Sequence, residues 1–414
     1  MTTATDITPF FINVPQADLD DLRDRLARTR FAQDLPGVGW AYGTPSDVLR
    51  EYATYWAEGF DWRAIEDRFN QYPQFLTTID DQTVHFLHIR SNVADATPLL
   101  LLHGWPGSFM EFEQLIAPLT DPLAHGGDTS DAFHLVIPSM PGYGFSGPTH
   151  DTGWDSRRMA QAMAVLMERL GYDRYGAQGG DMGAFVGPAV AEVAPEHVIG
   201  VHVNAATYGF IPWGETTAEE RAGMSERDLR KLARLRWWNN EGSGYFQIQA
   251  TRPQTISAGL SDSPVGQLAW ILDACKNWTA GGVDTDVQLD RDTVLAHASL
   301  YWLTNTSASS ARNYWEAMHT GGHWAADATS QSDEGESPVA TEEEGGAMWG
   351  VKSSTPLGVA VFGEDVAIRQ YGEMMYTIVH WTEFDGGGHF AALETPDLLV
   401  EDVRTFFRSL PASG

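Results

Sequence analysis

Five consecutive residues constrain this chain more than any others: Gly179-Gly180-Asp181-Met182-Gly183. They follow a short strand-like stretch, Arg174 to Gln178, and precede an Ala/Val-rich run of helical character. Small residues on both sides of one functional side chain let the backbone turn sharply from strand to helix and push that side chain outward. A strand that feeds straight into a helix is the repeating unit of a parallel sheet covered on both faces. Taken alone, the pattern also fits an Asp that merely caps the following helix. The rest of the chain distinguishes the two readings.

At 414 residues, the chain is expected to bury roughly three quarters of its unfolded surface, so a large apolar core needs no covalent staples. The single cysteine, Cys275, rules out an intramolecular disulfide and a Cys-based metal cluster, and is expected in that core. Leu19, Leu22 and Leu26 recur at helical spacing between Asp and Arg residues, with Pro9 and Pro15 limiting the helix upstream. Further helix is predicted from Ser46 to Ala57 and from Trp62 to Phe69, so residues 1–75 read as a helical lead-in. Strand patterns follow at Thr83 to Ile89, Leu99 to Leu102 and Phe133 to Ile137, making residues 76–207 the first part of an α/β core. Trp-, Arg- and Glu-rich helical stretches then mark residues 208–350 as an inserted helical cap. Within it, segment 325–346 is acidic, poor in apolar residues and expected to be a mobile loop. Strands resume at Leu357 to Phe362 and Tyr376 to Trp381, and a helix from Pro396 to Leu410 closes residues 351–414, the second part of the core.

The chemistry-bearing residues fall at the ends of these strands. His103-Gly104-Trp105-Pro106-Gly107-Ser108 leaves the Leu99 to Leu102 strand, where a chain with such an elbow carries a loop that donates one backbone N–H to an oxyanion; the second donor is the N–H of Met182. Gly386-Gly387-Gly388-His389-Phe390 follows the last strand and places a histidine on a turn before the final helix. That preserves the order nucleophile, acid, histidine. The acid belongs after the Leu357 to Phe362 strand, where Glu364 and Asp365 stand side by side; Asp365 is chosen, with Glu364 as the alternative.

With these motifs the chain resembles the microsomal-type epoxide hydrolases of the α/β-hydrolase superfamily, a family that includes juvenile hormone epoxide hydrolases and fungal and bacterial relatives. The resemblance starts at Pro9-Phe10 through Val14-Pro15 and Leu19 to Arg30, and continues through His103 to Ser108 and Pro138 to Gly147. It ends with Gly387 to Ala392, Glu394 and Pro396. It implies an α/β-hydrolase fold with a mostly parallel central sheet, a helical cap insertion and the N-terminal helical lead-in. In the cap, Gly244 to Gln249 with Ser261 to Gly266 is similar to the family's first tyrosine region, and Ser309 to Tyr314 to its second. By resemblance, Tyr245 and Tyr314 are the phenols that polarise an epoxide oxygen. The family usually reads Phe-Pro-x-(Glu or Asp) at the acid, against Phe362-Gly363-Glu364-Asp365 here, a register that supports Asp365.

The resemblance implies epoxide hydrolysis to a vicinal diol through a covalent ester on Asp181. Water activated by His389 and Asp365 would hydrolyse the ester, with the N–H groups of Trp105 and Met182 holding the oxyanion. His103 and Pro106 are expected to border the substrate. A haloalkane dehalogenase shares the Asp elbow but generally carries Trp after the nucleophile, where this chain has Met182. A non-catalytic hydrolase-fold binding protein would lack triad members, and an esterase needs Ser at the elbow. No cofactor or metal is expected. A formal charge of −30 argues against nucleic acid as a partner and leaves a neutral or cationic small-molecule epoxide as the expected one. Apolar runs such as Pro98 to Leu102 fall far short of the ~20 residues of a membrane span, and Met1 to Thr8 has no secretory character. No membrane anchor, a cytoplasmic location and, as the commonest assembly, a homodimer are therefore the expectations.

Overall fold

Alternating apolar residues in a central strand must be divided between the two faces of a sheet. The computed structural model, which describes residues 6–282, 289–319 and 352–411, shows that division. Leu100 and Leu102 join one core cluster, and Leu99 and Leu101 join the other. The acidic segment 325–346 lies outside the described residues.

The strands are β1 (Thr8–Phe10), β2 (Gln74–Ile79), β3 (Gln82–Ile89), β4 (Thr97–Leu102), β5 (Phe133–Pro138), β6 (Tyr175–Gly180), β7 (Val198–Asn204), β8 (Ser353–Val361) and β9 (Tyr376–Glu383). They form one nine-stranded sheet in the order β1-β2-β3-β5-β4-β6-β7-β8-β9. Pairing is antiparallel from β1 through β3 to β5 and parallel across the rest. The parallel block brings the C-terminal ends of β4, β6, β8 and β9 to one edge, where open α/β sheets hold their ligands.

The lead-in is helical over α1 (Gln16–Ala27), α2 (Ser46–Glu58) and α3 (Trp62–Phe69). It differs from the sequence expectation in contributing β1 and the start of β2, a short edge pair whose mixed polarity hides any clear alternation. Next come α4 (Glu113–Thr120), α5 (Ser156–Arg169) and α6 (Gly183–Val193). Between β7 and β8 lie α7 (Ala218–Ala222), α8 (Glu226–Trp237), α9 (Gly244–Thr251), α10 (Pro253–Asp262), α11 (Pro264–Trp278), α12 (Arg291–Leu303) and α13 (Ser307–His319). The last three are α14 (Arg369–Met375), α15 (Ala391–Glu394) and α16 (Pro396–Ser409). Helix starts follow capping chemistry: the side chains of Asp61, Asp155, Ser263 and Asp290 each accept a backbone N–H from the first turn of α3, α5, α11 and α12.

The lead-in also grips the helices between β7 and β8. Leu22, Leu26, Ala53 and Trp56 share a core cluster with Val265, Leu268 and Leu272 of α11. The Trp56 indole N–H donates to Ser299 Oγ at 2.8 Å, Thr44 Oγ1 to Ala269 O at 3.0 Å, and Arg25 Nη1 to Asp262 O at 2.8 Å. Among the described residues, no helix is long and apolar enough to cross a membrane.

Candidate active site

The turn from β6 into α6 is built as its glycines suggest. Asp181 has φ +55°, the left-handed region, which costs a non-glycine residue about 1–3 kcal/mol and persists only where the surroundings enforce it. They do so by contact: a Cβ on Gly183 would lie 2.1 Å from Leu102 O, and one on Gly179 2.5 Å from the Gly183 backbone. The carboxylate stands immediately before α6, where the helix dipole favours negative charge.

The loop after β4 closes over that carboxylate. The Trp105 N–H donates to Asp181 Oδ1 at 3.0 Å. Gly104 lies so close that a Cβ there would be 2.0 Å from the same oxygen. The loop is itself fixed from behind, since the Tyr301 O–H donates to Gly107 O at 2.8 Å and the Met140 N–H to His103 Nε2 at 3.1 Å. Burial lowers the His103 imidazole to about 4, so it is a neutral loop anchor. His103 and Pro106, expected to border the substrate, are buried and do not line the main pocket; Met182 does.

His389 follows β9, and its Nε2 lies 3.3 Å from Asp181 Oδ2. Burial alone would lower this imidazole, but the hydrogen bond and charge of Asp181, with the charges of Asp365 and Glu394, outweigh it and raise it. The two adjacent carboxylates after β8 have different surroundings. Glu364 is taken by the arginine of α8, its Oε2 2.6 Å from Arg234 Nη1. Asp365 Oδ2 instead accepts the N–H groups of Phe362 at 2.9 Å and Ala205 at 3.3 Å. Burial pushes Asp365 up to about 6 against the lowering pull of those bonds and of His389. No direct hydrogen bond joins Asp365 to His389 among the described residues, so its effect on the imidazole is electrostatic. Glu373, the next acid along the chain after Asp365, pairs with Arg369 on α14.

Above the carboxylate lies a pocket with an empty volume of about 1060 Å³, its open mouth included. Asp181, His389, Asp365, Tyr245 and Tyr314 all line it, with Phe185, Trp238, Phe246 and Trp278 among its aromatic walls. Tyr245 stacks on Trp105 with ring centroids 5.3 Å apart, and the Tyr245 and Tyr314 rings meet edge to face at 6.1 Å. Burial first, then the charge of Asp181, pushes both phenols well above their ordinary value, so both keep their protons.

Sequence reasoning missed several neighbours. Trp278 at the end of α11 packs 4.8 Å from the His389 ring and accepts the His389 N–H on its carbonyl at 2.8 Å. Glu394 accepts from Ala280 N–H at 2.6 Å and Phe390 N–H at 3.1 Å, bracing the histidine loop. Glu111 sits beneath the Trp105 loop. Its position after Ser108, a helix cap, gave it the look of an ordinary first-turn acid.

Comparison with known proteins gives a consistent set of relatives. Residues 7–112 match the family described as epoxide hydrolase N terminus, and residues 97–241 match the alpha/beta hydrolase fold. The chain is similar to a putative epoxide hydrolase of Stigmatella aurantiaca, 42% identical over 409 residues covering 98% of this chain and 86% of that protein. It is 33% identical to epoxide hydrolase 1 of Sus scrofa over 423 residues, covering 97% and 88%. Against the structure of Aspergillus niger epoxide hydrolase the TM-score is 0.80 at 31% identity, covering 98% of this chain and 97% of that one.

Proposed function

Since the chain belongs to the epoxide hydrolase family of the α/β-hydrolase superfamily and is an epoxide hydrolase, we propose that it opens its epoxide in two covalent steps centred on Asp181. In the first, the oxygen of Asp181 not held by Trp105 attacks a ring carbon, the C–O bond breaks, and Tyr245 and Tyr314 hydrogen-bond the departing oxygen, one of them supplying its proton. In the second, water attacks the ester carbonyl carbon, His389 takes the proton from that water, and the Trp105 N–H, with that of Met182, holds the oxyanion. Each such donor is typically worth ~3–4 kcal/mol.

The observation that carries this reading is the division of labour on one carboxylate. Oδ1 is bound by the Trp105 N–H, while Oδ2 faces His389 in a pocket shared with both phenols. The electrostatics follow the same sequence. The Asp181 charge is what raises His389. Esterification removes that charge, so the imidazole loses its proton-holding partner at the step where it must act as a base. The aromatic pocket walls suit a neutral, apolar epoxide.

A single turnover with excess enzyme in heavy-oxygen water tests the covalent step. The label should enter the peptide containing Asp181, while the diol carries the old carboxylate oxygen. A diol labelled at once would mean direct attack by water and would remove Asp181 as nucleophile.

Replacing Tyr245 or Tyr314 singly by Phe should slow ester formation by ~10–1000-fold, because one donor of two remains, and losing both should nearly abolish it. Stopped-flow measurement of alkylation decides the matter. A tyrosine whose loss leaves that rate unaltered is a packing residue.

A further inference from the structure

We propose that a second, smaller cavity on the far side of Asp181 holds the hydrolytic water, and that Glu111 is the residue that positions it; this rests on the two-step reading above. Once the ester forms, its alkyl chain occupies the main pocket, and water approaching from there meets a blocked face. The second cavity lies against the Trp105 loop, bordered by Gly104, Trp105, Glu111 and Asn204 together with Asp181 and His389. Among the described residues, Asp181 and His389 alone border both cavities. The electrophilic carbon and the base are therefore reachable from behind. The cavity has room for about one water, and such a water needs two to four polar partners.

Glu111 is placed to be one of them. It is heavily surrounded by protein yet keeps part of its surface accessible, as expected of a side chain lining an internal cavity. Its carboxyl is tucked under Gly107, where an added Cβ would lie 2.0 Å from Oε2. Burial, then the charge of Asp181, pushes it up to about 8, so at neutral pH it is a carboxylic acid able to donate and accept hydrogen bonds at once. The titratable groups facing it are Asp181, His389 across the cavity and Tyr301. Glu111 takes no proton in the reaction. The water oxygen bonds to Cγ of Asp181 and its proton goes to His389 Nε2. The bond from Cγ to the alkyl oxygen breaks, and the diol oxygen leaves with the proton returned from His389. An ionised Glu111 would oppose the developing oxyanion.

The test measures alkylation and hydrolysis separately in single turnovers of styrene oxide. E111L and G107A, the second of which drives the carboxyl from its seat, should each slow hydrolysis by at least ~30-fold, leave alkylation within ~3-fold and accumulate the ester. E111Q keeps size and polarity, so its hydrolysis should stay within ~10-fold of wild type and lack the high-pH decline expected of wild type as Glu111 ionises. If E111L does not fold, E111Q and G107A carry the test. Equal effects on both steps, no effect on either, or a high-pH decline unchanged in E111Q overturns the proposal. A wild-type enzyme that forms no ester defeats the two-step reading. An ester that clears from E111L and G107A at the wild-type rate defeats this inference alone.

Discussion

Replacing His389 by Gln should leave a protein that opens one epoxide per molecule and then stops. Asp181, the Trp105 N–H and both phenols remain in place, so the proposed ring opening keeps its parts. The proposed base for the second step is gone, and with it the imidazole that the charges of Asp365 and Glu394 still favour in its protonated form once the Asp181 charge is esterified. Turnover should fall by roughly 10⁴-fold or more. Mass spectrometry should find an adduct of enzyme plus epoxide mass on the peptide containing Asp181. Asp181→Asn should form no adduct unless its amide slowly reverts to the acid. If the histidine variant neither turns over nor accumulates an adduct, the imidazole acts earlier than proposed.

The second large effect concerns the adjacent acids. Asp365→Asn should lower hydrolysis by ~10²–10⁴-fold with alkylation changed by less than ~10-fold, because a neutral amide cannot stabilise the imidazolium that forms as water is deprotonated. Glu364→Gln should change either step only a few-fold, since Glu364 is already engaged by Arg234. The pH profile gives an independent reading. Burial raises Asp365 to about 6, so wild-type hydrolysis should decline as pH falls through that value and the carboxylate is neutralised. The Asn variant should lack that decline. Comparable mild losses in both variants would move the role elsewhere, with Glu394, which also raises His389, the next carboxylate to examine.

The elbow was readable because its pattern is local: Gly179, Asp181 and Gly183 lie within five residues, although the contact that demands glycine at 183 comes from Leu102 on the adjacent strand β4. The same holds for most strands and for α3, whose bounds match the sequence reading. Strand β7 was not readable. Gly200 and His202 interrupt its apolar run, and the missing side chain at Gly200 makes room for Leu410, where a Cβ would lie 2.6 Å away. Glu364 and Asp365 could not be told apart by spacing because their surroundings come from far along the chain. Arg234 and Ala205 are 130 and 160 residues away from them, respectively. Glu111 and Glu113 look alike in sequence, yet Glu113 turns out to Arg68 while Glu111 turns inward beside Asp181.

The grip of the lead-in on α11 and α12 has a consequence for how this enzyme meets its substrates. An exposed pair such as Arg25 with Asp262 contributes little by itself, but the apolar surface that Leu22, Leu26, Ala53 and Trp56 share with α11 makes the two segments one packed body. Loosening either segment exposes the apolar surface of the other. The aromatic walls of the pocket, Trp278 at the end of α11 among them, belong to that same packed body. Residues of α1 and α2, none of which lines the pocket, therefore help hold its walls in place.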